Sequence, residues 1–255
     1  MLQNERYNQI YDLVKERGTV TVHYLQNQLH ASEATIRRDL KAMEDRGLIK
    51  RIWGGAMLPT VEKDIPPIVR MRLNNEKKEK IASIAANLIT SGTTMFIDSS
   101  TTCLALVPCL AALKNVTVVT NNLKLSKMLE EQTSVSTILV GGQIHDGYIL
   151  TGYAAIQAVK MYHTDILFFS CSNISVAGIT SIDAKVAAVC REMLRHADKK
   201  VLLCDTSKVG KASLLRVAEL DDPDYVIMDS VPDDTALVNA LGDRLITRPE
   251  QLLTR

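Results

Sequence analysis

A short basic segment, SEATIRRDLKAMEDRG (residues 32–47), carries residue types that bind phosphates and base edges. Ile36, Leu40 and Met43 recur at helical spacing and predict the inward face of a helix. At about 100° per residue, basic and hydroxyl side chains are left on the outer surface: Arg38 and Lys41 point outward, with Thr35 and Arg37 on the flanks. Arginine can bridge guanine O6 and N7, and threonine can contact a thymine methyl, so this surface suits the major groove of DNA.

Two shorter helices must hold this segment in place. The apolar residues at positions 7, 10, 11 and 14 form one helical face, and Gly18 is expected to end that helix. Thr21 and Ser32 are candidate N-caps of the second and third helices. Only three residues separate Leu29 from the third helix. Two helices joined by so tight a turn are a helix-turn-helix.

The next segment, GLIKRIWGGAML, predicts two short strands around a glycine turn, which is the wing of a winged helix. Its basic residues would lie along phosphates. A lone amphipathic helix with two arginines is more often a solvated surface, but the helix, the tight turn and the basic hairpin together favour DNA binding. The predicted DNA-contacting residues are Ser32, Thr35, Arg37, Arg38, Lys41, Lys50 and Arg51.

These stretches resemble the DeoR family of bacterial transcriptional regulators. The resemblance rests on Thr35-Ile36-Arg37-Arg38-Asp39-Leu40, on Gly47, and on Arg51 with Gly54-Gly55-Ala56. Family members usually have a glycine in the turn before the third helix, where this sequence has His30. If the backbone there has a positive φ, histidine is tolerated better than most residues, though less well than glycine.

The composition is that of an ordinary globular protein. Of the 255 residues, 46% are hydrophobic and 23% are charged, so collagen, coiled coil and disorder are not expected as the dominant state. No apolar run approaches the roughly 18 residues of a membrane helix. The first ten residues lack the apolar core of a secretory signal. Five cysteines without a C-x-x-C pair argue against a disulfide framework or a zinc site, and predict small core residues in a reducing cytoplasm.

The charge is unevenly distributed along the chain. Residues 1–80 contain 15 Lys and Arg against 11 Asp and Glu (+4), and the remaining residues contain 15 against 18 (−3), which together give the net charge of +1. An asymmetry this mild does not by itself establish a nucleic-acid partner.

A change of pattern divides the chain into two domains. Residues 1–58 are the predicted winged helix-turn-helix, and residues 59–75, with Pro59, Pro66 and Pro67, have the composition of a linker. In residues 76–255, apolar runs alternate with helical stretches, which predicts a Rossmann-like α/β domain with a parallel sheet buried on both faces. The six predicted strands end at Asp98, Thr120, Val140, Ser170, Asp205 and Asp229.

Polar residues follow most of these strands. Ligands of open α/β sheets bind at the carboxyl ends of the strands. Hydroxyls, amides, glycines and a lysine suit a polyol phosphate, and a helix opening at residues 99–102 would offer free N–H groups to an anion. In any one loop such residues can simply cap a helix or shape a turn, but five polar ends on one rim favour a pocket. These ends are Ser99–Thr102, Asn121-Asn122, Gly141-Gly142, Cys171–Asn173 and Thr206–Lys208.

The sequence lacks the common sequence motifs of enzymes. There is no GxGxxG and no GxSxG, and the run at Gly210-Lys211 is not a P-loop, because Asp205 and Ala212 stand where Gly and Ser or Thr are needed. The five histidines show no ligand spacing. We therefore expect no catalytic residue, no metal site and no cofactor. The alternative is a sugar-phosphate isomerase-like enzyme with an appended DNA-binding domain, with Asp98 or Asp205 as its base, although no acid–base pair stands out.

The DeoR resemblance extends through the second domain, in FIDSSTT, VVTNN, LVGG and DTSKVGK. It implies a domain similar to ribose-5-phosphate isomerase that binds a phosphorylated sugar or a related intermediate. The resemblance assigns the phosphate end to Ser99, Ser100, Thr101, Thr102 and Lys208. It assigns the remainder of the effector to Asp98, Asn121, Gly141 and Gly142.

Two departures from the family pattern indicate an unusual effector. Ser100 replaces a family glycine, and a family glutamate is replaced by Val186 or displaced to Lys185. The lysines at positions 77, 78 and 80 are either solvated charges on a helix face or reach the ligand pocket.

The sequence as a whole predicts a cytoplasmic DNA-binding transcriptional regulator of carbohydrate metabolism. We expect the protein to repress transcription and the effector to relieve that repression. Paired major-groove sites need recognition helices about 34 Å apart, so we expect a dimer or a tetramer.

Overall fold

A computed structural model describes residues 3–45, 48–57, 70–71 and 73–253. The chain divides into two compact units, Met1–Leu73 and Asn74–Arg255. Most of the predicted linker falls outside the described residues, and so does Gly47 of the family pattern. The predicted domain limits at residues 58 and 75 therefore stay predictions.

The N-terminal unit contains the three predicted helices, α1 (Gln3–Arg17), α2 (Val22–Leu29) and α3 (Glu33–Asp45). Gly18, with φ of 73°, follows the last residue of α1. The hydroxyl of Thr21 caps α2 by accepting a hydrogen bond from the amide of Tyr24 at 3.1 Å. The predicted inward faces of the three helices are buried together in one apolar core.

The turn between α2 and α3 has the conformation expected at His30. Its backbone is left-handed, with φ of 48°, and its amide bonds to the carbonyl of Gln26. This C-cap ends α2 and lets α3 begin after two more residues. The histidine therefore adopts the conformation that glycine usually supplies at this place in the family.

The wing is a three-stranded sheet in which β3 (Gly55–Met57) lies between β1 (Thr19–Thr21) and β2 (Lys50–Ile52). The sequence predicted β2 and β3 but not β1. Gly55 is required where β3 meets β1, because an added Cβ would lie 2.0 Å from the carbonyl oxygen of Val20.

A buried ion pair joins α1 to α3. The guanidinium of Arg6 donates through Nε and Nη2 to both carboxylate oxygens of Asp39. The Asp39 residue is only 1% exposed, and the Arg6 side chain is 14% exposed. Asp39, within the Arg-Arg-Asp stretch of α3, therefore faces the interior and holds two helices together.

The C-terminal unit contains a seven-stranded parallel sheet among its described residues, in the order β15-β14-β12-β9-β4-β5-β6. All six predicted strands are present, and the seventh, β15, has only two residues. The strands of this sheet are β4 (Thr94–Ile97), β5 (Thr117–Thr120), β6 (Ser136–Leu139), β9 (Thr164–Phe169), β12 (Ala197–Leu203), β14 (Tyr225–Ile227) and β15 (Leu245–Ile246).

Helices separate most of these strands. The α-helices are α4 (Asn75–Ala85), α5 (Leu123–Gln132), α6 (Tyr153–Val159), α7 (Ala184–Arg195), α8 (Thr235–Leu241) and α9 (Glu250–Leu253). The helix that the sequence predicts to open at residues 99–102 is a 3-10 helix, Cys103–Leu110, and Pro108 within it cannot donate a backbone hydrogen bond. Shorter 3-10 segments are Ala86–Leu88, Thr206–Lys208 and Gly242–Arg244.

Two small antiparallel sheets complete the unit, and the sequence did not reveal either. One is the hairpin of β7 (Gln143–His145) and β8 (Ile149–Thr151). The other contains β10 (Asn173–Ser175), β11 (Gly178–Ser181) and β13 (Leu215–Ala218).

The cysteines behave as the predicted small core residues. Four are buried, Cys109 is half-buried, and all five are free thiols. Within the described part of the chain, no helix is both long enough and apolar enough to cross a membrane.

Candidate functional site

The predicted DNA-facing cations lie on the surface of the N-terminal unit. Arg37, Arg38 and Lys41 are exposed on α3, and Lys50 and Arg51 are exposed on β2. The inward face of α3 holds Ile36, Leu40 and Met43 in the core, so the basic residues are left outside by the helical period.

The two predicted hydroxyls at the start of α3 bond to each other. The Ser32 Oγ lies 2.8 Å from Thr35 Oγ1 and accepts a hydrogen bond from the Thr35 amide at 3.2 Å. Ser32 is thus the N-cap that the sequence predicted. Both hydroxyls are exposed or half-exposed at the end of the helix that would enter a groove.

Two of the five cations are paired with glutamates. Arg37 Nε donates to Glu33 Oε1 at 2.7 Å, and Arg51 Nη1 lies 3.8 Å from Glu44 Oε2. Within the described residues, Arg38 has no ion pair or side-chain hydrogen bond. DNA would therefore meet Arg38 without first displacing a carboxylate.

The second site lies where the strand order of the parallel sheet reverses. From β4 the chain proceeds to β5 and β6 on one side, and later to β9, β12, β14 and β15 on the other. The carboxyl ends of β4 and β9 therefore form the switch point, where open α/β sheets bind ligands. The loops after these two strands begin with Asp98 and Ser170.

Asp98 joins these two loops. Its Oδ1 accepts from the Ser100 amide at 2.8 Å, and its Oδ2 accepts from the Ser170 amide at 2.9 Å. Burial raises the pKa of Asp98 above its ordinary value, while the hydrogen bonds from the loop oppose that rise. Each carboxylate oxygen of Asp98 therefore accepts a hydrogen bond from one loop, and together the two bonds hold the loops next to each other.

Two lysines approach consecutive threonines in the loop after β4. Lys208 Nζ donates to Thr102 Oγ1 at 3.3 Å and to Ser170 Oγ at 3.0 Å. Lys78 Nζ, from α4, donates to Thr101 Oγ1 at 3.2 Å. Lys78 is only 4% exposed, so its ammonium group lies within the fold rather than in solvent.

The loop itself uses some of the amides that were expected for an anion. The Ser100 amide bonds to Asp98, and the Cys103 amide donates to Ser100 Oγ at 3.2 Å. Ser99 is buried, and its carbonyl accepts from Asn122 Nδ2 at 3.3 Å. Because these amides already donate hydrogen bonds within the loop, the positive charge near it comes from the lysine side chains.

Asn121, at the end of β5, holds the β7–β8 hairpin. Its carbonyl accepts from the Leu150 amide at 2.7 Å, and its Nδ2 donates to the Leu150 carbonyl at 3.0 Å. Asn121 is 1% exposed, yet its Oδ1 has no hydrogen-bond partner among the described residues. A buried acceptor without a partner is costly, and a ligand hydroxyl could supply the missing donor.

The two predicted glycines follow the edge strand β6 and are exposed. An added Cβ at Gly142 would lie 2.7 Å from the carbonyl oxygen of Thr151, so this position needs glycine for close backbone packing against β8. Gly141 has open space around it.

The Lys208 loop is held at its first residues. Thr206 donates through its amide to Asp229 Oδ1 at 2.8 Å, and Lys77 Nζ lies 3.2 Å from Asp229 Oδ2. Asn74 Nδ2 donates to Asp205 Oδ1 at 3.2 Å. These contacts fix the 3-10 turn that presents Lys208.

Sequence reasoning left the three α4 lysines undecided, and the structure distinguishes them. Lys80 is exposed, Lys77 bonds the Lys208 loop, and Lys78 reaches Thr101. The signal was present in the sequence, because Lys78 shares the helical face of the buried residues Ile81 and Ala82. A lysine within an apolar stripe must direct its ammonium group to a polar site.

The departure at the start of α7 places Val186 in the first helical turn. Asp183 is the N-cap, and its Oδ1 accepts from the amides of Lys185 and Val186 at 2.9 and 3.1 Å. Val186 is half-buried and Lys185 is exposed. Neither position carries a glutamate.

His145 meets two carboxylates that the linear spacing did not reveal. His145 Nε2 lies 2.5 Å from Asp183 Oδ2 and 3.9 Å from Asp146 Oδ1, a group of donors that a metal ion could bridge. Burial raises the pKa of Asp183, but the hydrogen bonds from His145 and from the α7 amides outweigh it and leave that pKa below its ordinary value. The pair connects the β7–β8 hairpin to the start of α7.

Comparison with known proteins assigns both units. The DeoR-like helix-turn-helix domain profile matches residues 6–62, and the DeoR C terminal sensor domain profile matches residues 73–230. The HTH-type transcriptional repressor GlcR of Bacillus subtilis (strain 168) is 34% identical over 235 residues, which cover 91% of each chain. The glycerol-3-phosphate regulon repressor of Escherichia coli (strain K12) is 32% identical over 249 residues, which cover 96% of this chain and 98% of that one.

Solved structures resemble the C-terminal unit more distantly. A ribose 5-phosphate isomerase A from Methanocaldococcus jannaschii is 18% identical, covers 54% of this chain and 56% of its own, and superposes with a TM-score of 0.40. A likeness at this level carries no argument about activity. The two family profiles and the relatives that match over most of their length show that the chain belongs to the DeoR family of DNA-binding transcriptional regulators.

Proposed function

We propose that the chain represses a carbohydrate-related operon, and that a phosphorylated sugar-like metabolite in the C-terminal unit changes its affinity for operator DNA. The name of one relative refers to the regulon of glycerol 3-phosphate, a phosphorylated polyol. The relatives compared are regulators, which supports a regulator over an enzyme. The effector must prefer one of two conformations or assemblies, since equal affinity for both would shift nothing.

The observation that carries the effector proposal is the approach of two lysines to one loop. Lys78 and Lys208 come from distant parts of the chain and donate to the neighbouring hydroxyls of Thr101 and Thr102. Two ammonium groups beside two hydroxyls suit a phosphate, whose oxygens accept charge-assisted hydrogen bonds. Asn121 Oδ1 supports the rest of the proposal, because it can accept from a hydroxyl of a polyol.

We also propose that the site is not catalytic. An isomerase needs a base that can approach the substrate. The two carboxylates that the sequence offered are already engaged, since Asp98 accepts two amides, and Asp205 Oδ1 accepts from the Ser207 amide at 3.1 Å and from Asn74. Turnover of pentose or hexose phosphates by the purified protein would contradict this part of the proposal.

A dimer or tetramer remains the expected assembly. Two operator half-sites one helical turn apart, about 34 Å, need two copies of α3. Sedimentation at micromolar concentration with and without DNA measures this directly, and a monomer under both conditions would contradict it.

The choice of effector is tested by thermal shift of the full chain against phosphorylated sugars, sugar acids and their unphosphorylated parents. A ligand at 100 times its Kd should add about 2.7 kcal/mol to the free energy of unfolding. We expect stabilisation by phosphorylated compounds only. Stabilisation by an unphosphorylated parent to the same extent would remove the two lysines from phosphate recognition.

The DNA surface is tested by comparing the two arginines of α3. Arg38→Ala is expected to weaken binding to a duplex selected from a random library by about 1–3 kcal/mol if Arg38 reads a base. Arg37→Ala should cost less, because Arg37 must first leave Glu33. Fluorescence anisotropy of the labelled duplex measures both.

A matched control removes an arginine from the other unit. Arg248 is exposed near the C-terminal end of the chain, and Arg248→Ala should leave DNA affinity unchanged. A larger loss for Arg37→Ala than for Arg38→Ala would reverse the assignment.

A further inference from the structure

The most exposed aromatic side chain among the described residues is at the tip of the wing. Trp53 has a relative exposure of 103% and lies in the turn between β2 and β3. Its neighbour Ile52 is also an exposed large apolar residue. An indole ring held entirely in water costs free energy that burial against a partner would recover.

The turn that carries Trp53 is built to hold it in one place. The Gly54 carbonyl accepts from the Val22 amide, at the start of α2, at 2.8 Å. Gly54 has φ of 78°, and Gly55 pairs with Thr21 of β1. The tip is therefore anchored to the helix-turn-helix on the side of the turn that follows Trp53.

The strand that precedes Trp53 is anchored to α3. The Arg51 amide donates to Glu44 Oε1 at 2.9 Å, and the guanidinium of Arg51 approaches the same carboxylate. Wing and recognition helix are thus joined by backbone and side-chain contacts. The backbone that carries Trp53 is therefore anchored to the helix that would enter the major groove.

The residues next to the apolar tip are basic. Lys50 and Arg51 precede Ile52 and Trp53 directly, and β2 is exposed along its whole length. A partner that matches both features must carry negative charge and also offer apolar surface. Duplex DNA does so in its minor groove, where deoxyribose and base edges lie between two rows of phosphates.

We propose that Trp53 enters the minor groove beside the major-groove segment read by α3, where its ring packs against deoxyribose and base edges. This inference rests on the DNA-binding role of the N-terminal unit. Lys50 and Arg51 would contact the phosphates that flank the groove, while the ring supplies contact that does not depend on salt. Apolar side chains of this kind occur in minor-groove binding, and they favour segments whose groove they fit.

The chain contains a single tryptophan, so its emission reports this residue alone. An unlabelled duplex selected from a random library is titrated into the full-length protein, and tryptophan emission is followed under selective excitation. A labelled copy of the duplex measures binding independently by anisotropy. We expect quenching or a blue shift that saturates at the same concentration as the anisotropy.

Two substitutions of Trp53 distinguish direct contact of the ring with DNA from a change in the ring's surroundings that does not contribute to binding. Trp53→Ala should weaken binding about tenfold, with an unchanged slope of affinity against salt, and Trp53→Phe should recover part of the loss. Lys50→Ala should reduce the salt slope instead. Leu214→Ala removes a 93% exposed apolar side chain from the C-terminal unit and should change nothing.

Modified bases identify the groove. Diaminopurine in place of adenine adds an amino group to the minor groove and leaves the major-groove edge as it was. In the segment next to the α3 site, it should weaken binding of the parent protein and have little effect on Trp53→Ala. An unchanged emission while anisotropy reports binding would overturn the proposal, and absence of binding by anisotropy would contradict the DNA-binding role itself.

Discussion

Replacing Arg6 by methionine is expected to lower the free energy of unfolding of the N-terminal unit by about 3 kcal/mol, the lower end of the cost of removing one partner from a buried ion pair. The reason is that Asp39, 1% exposed, would keep a buried charge without its guanidinium. A domain of this size has a stability of only about 0.05–0.15 kcal/mol per residue, so the loss would be a large share of the total. Calorimetric unfolding of the full chain measures the change.

The control is an arginine on the surface of α3. Arg38→Met removes the same kind of side chain from an exposed position and should change stability by no more than about 0.5 kcal/mol. The double variant Arg6→Met with Asp39→Leu should be more stable than Arg6→Met alone, because no buried charge is left unpaired. Equal losses of unfolding free energy from Arg6→Met and Arg38→Met would show that the ion pair of Arg6 with Asp39 contributes no more to stability than an exposed arginine does.

Replacing Lys208 by methionine is expected to remove most of the effector response. Methionine keeps much of the apolar stem and deletes the ammonium group that bonds Thr102 and Ser170. A hydrogen bond to a charged group is worth about 1.5–3 kcal/mol, so effector affinity should fall at least tenfold. The measurement is the thermal shift at fixed effector concentration, followed by release from a labelled operator duplex.

Lys211 supplies the matched control. It lies three residues further along the same loop and is exposed. Lys211→Met should respond to the effector like the parent protein, and Lys208→Met should still bind operator DNA without effector. An intact effector response in Lys208→Met would remove this lysine from the phosphate site and leave Lys78 as the remaining candidate.

Local sequence patterns predicted a helix or strand well where capping or turn residues marked its ends. The three N-terminal helices and the caps at Thr21 and Ser32 follow from spacing and residue type over a few positions. The six predicted strands of the sheet followed in the same way. The sequence did not predict β1, β15 or the strands of the two small sheets, and length alone is not the reason, because the predicted β14 also has only three residues.

Side-chain roles were harder to predict where two distant segments meet. The Arg-Arg-Asp stretch predicted the outward arginines but not the inward Asp39, since its partner Arg6 is 33 residues away. Asp98 was expected to meet the effector, and its contacts are instead with the amides of Ser100 and Ser170. Whether it also meets an effector stays a prediction.

The sequence by itself determined the class of protein, because helical spacing, caps, glycines and basic residues act within a few positions of one another. It also predicted which loops lie together at one edge of the sheet, since every parallel strand ends at the same edge. Only the tertiary structure decided which charges meet. Lys78 and Thr101, Lys208 and Thr102, and Arg6 and Asp39 are separated by 23, 106 and 33 residues, and no local pattern specifies contacts made by packing across such distances.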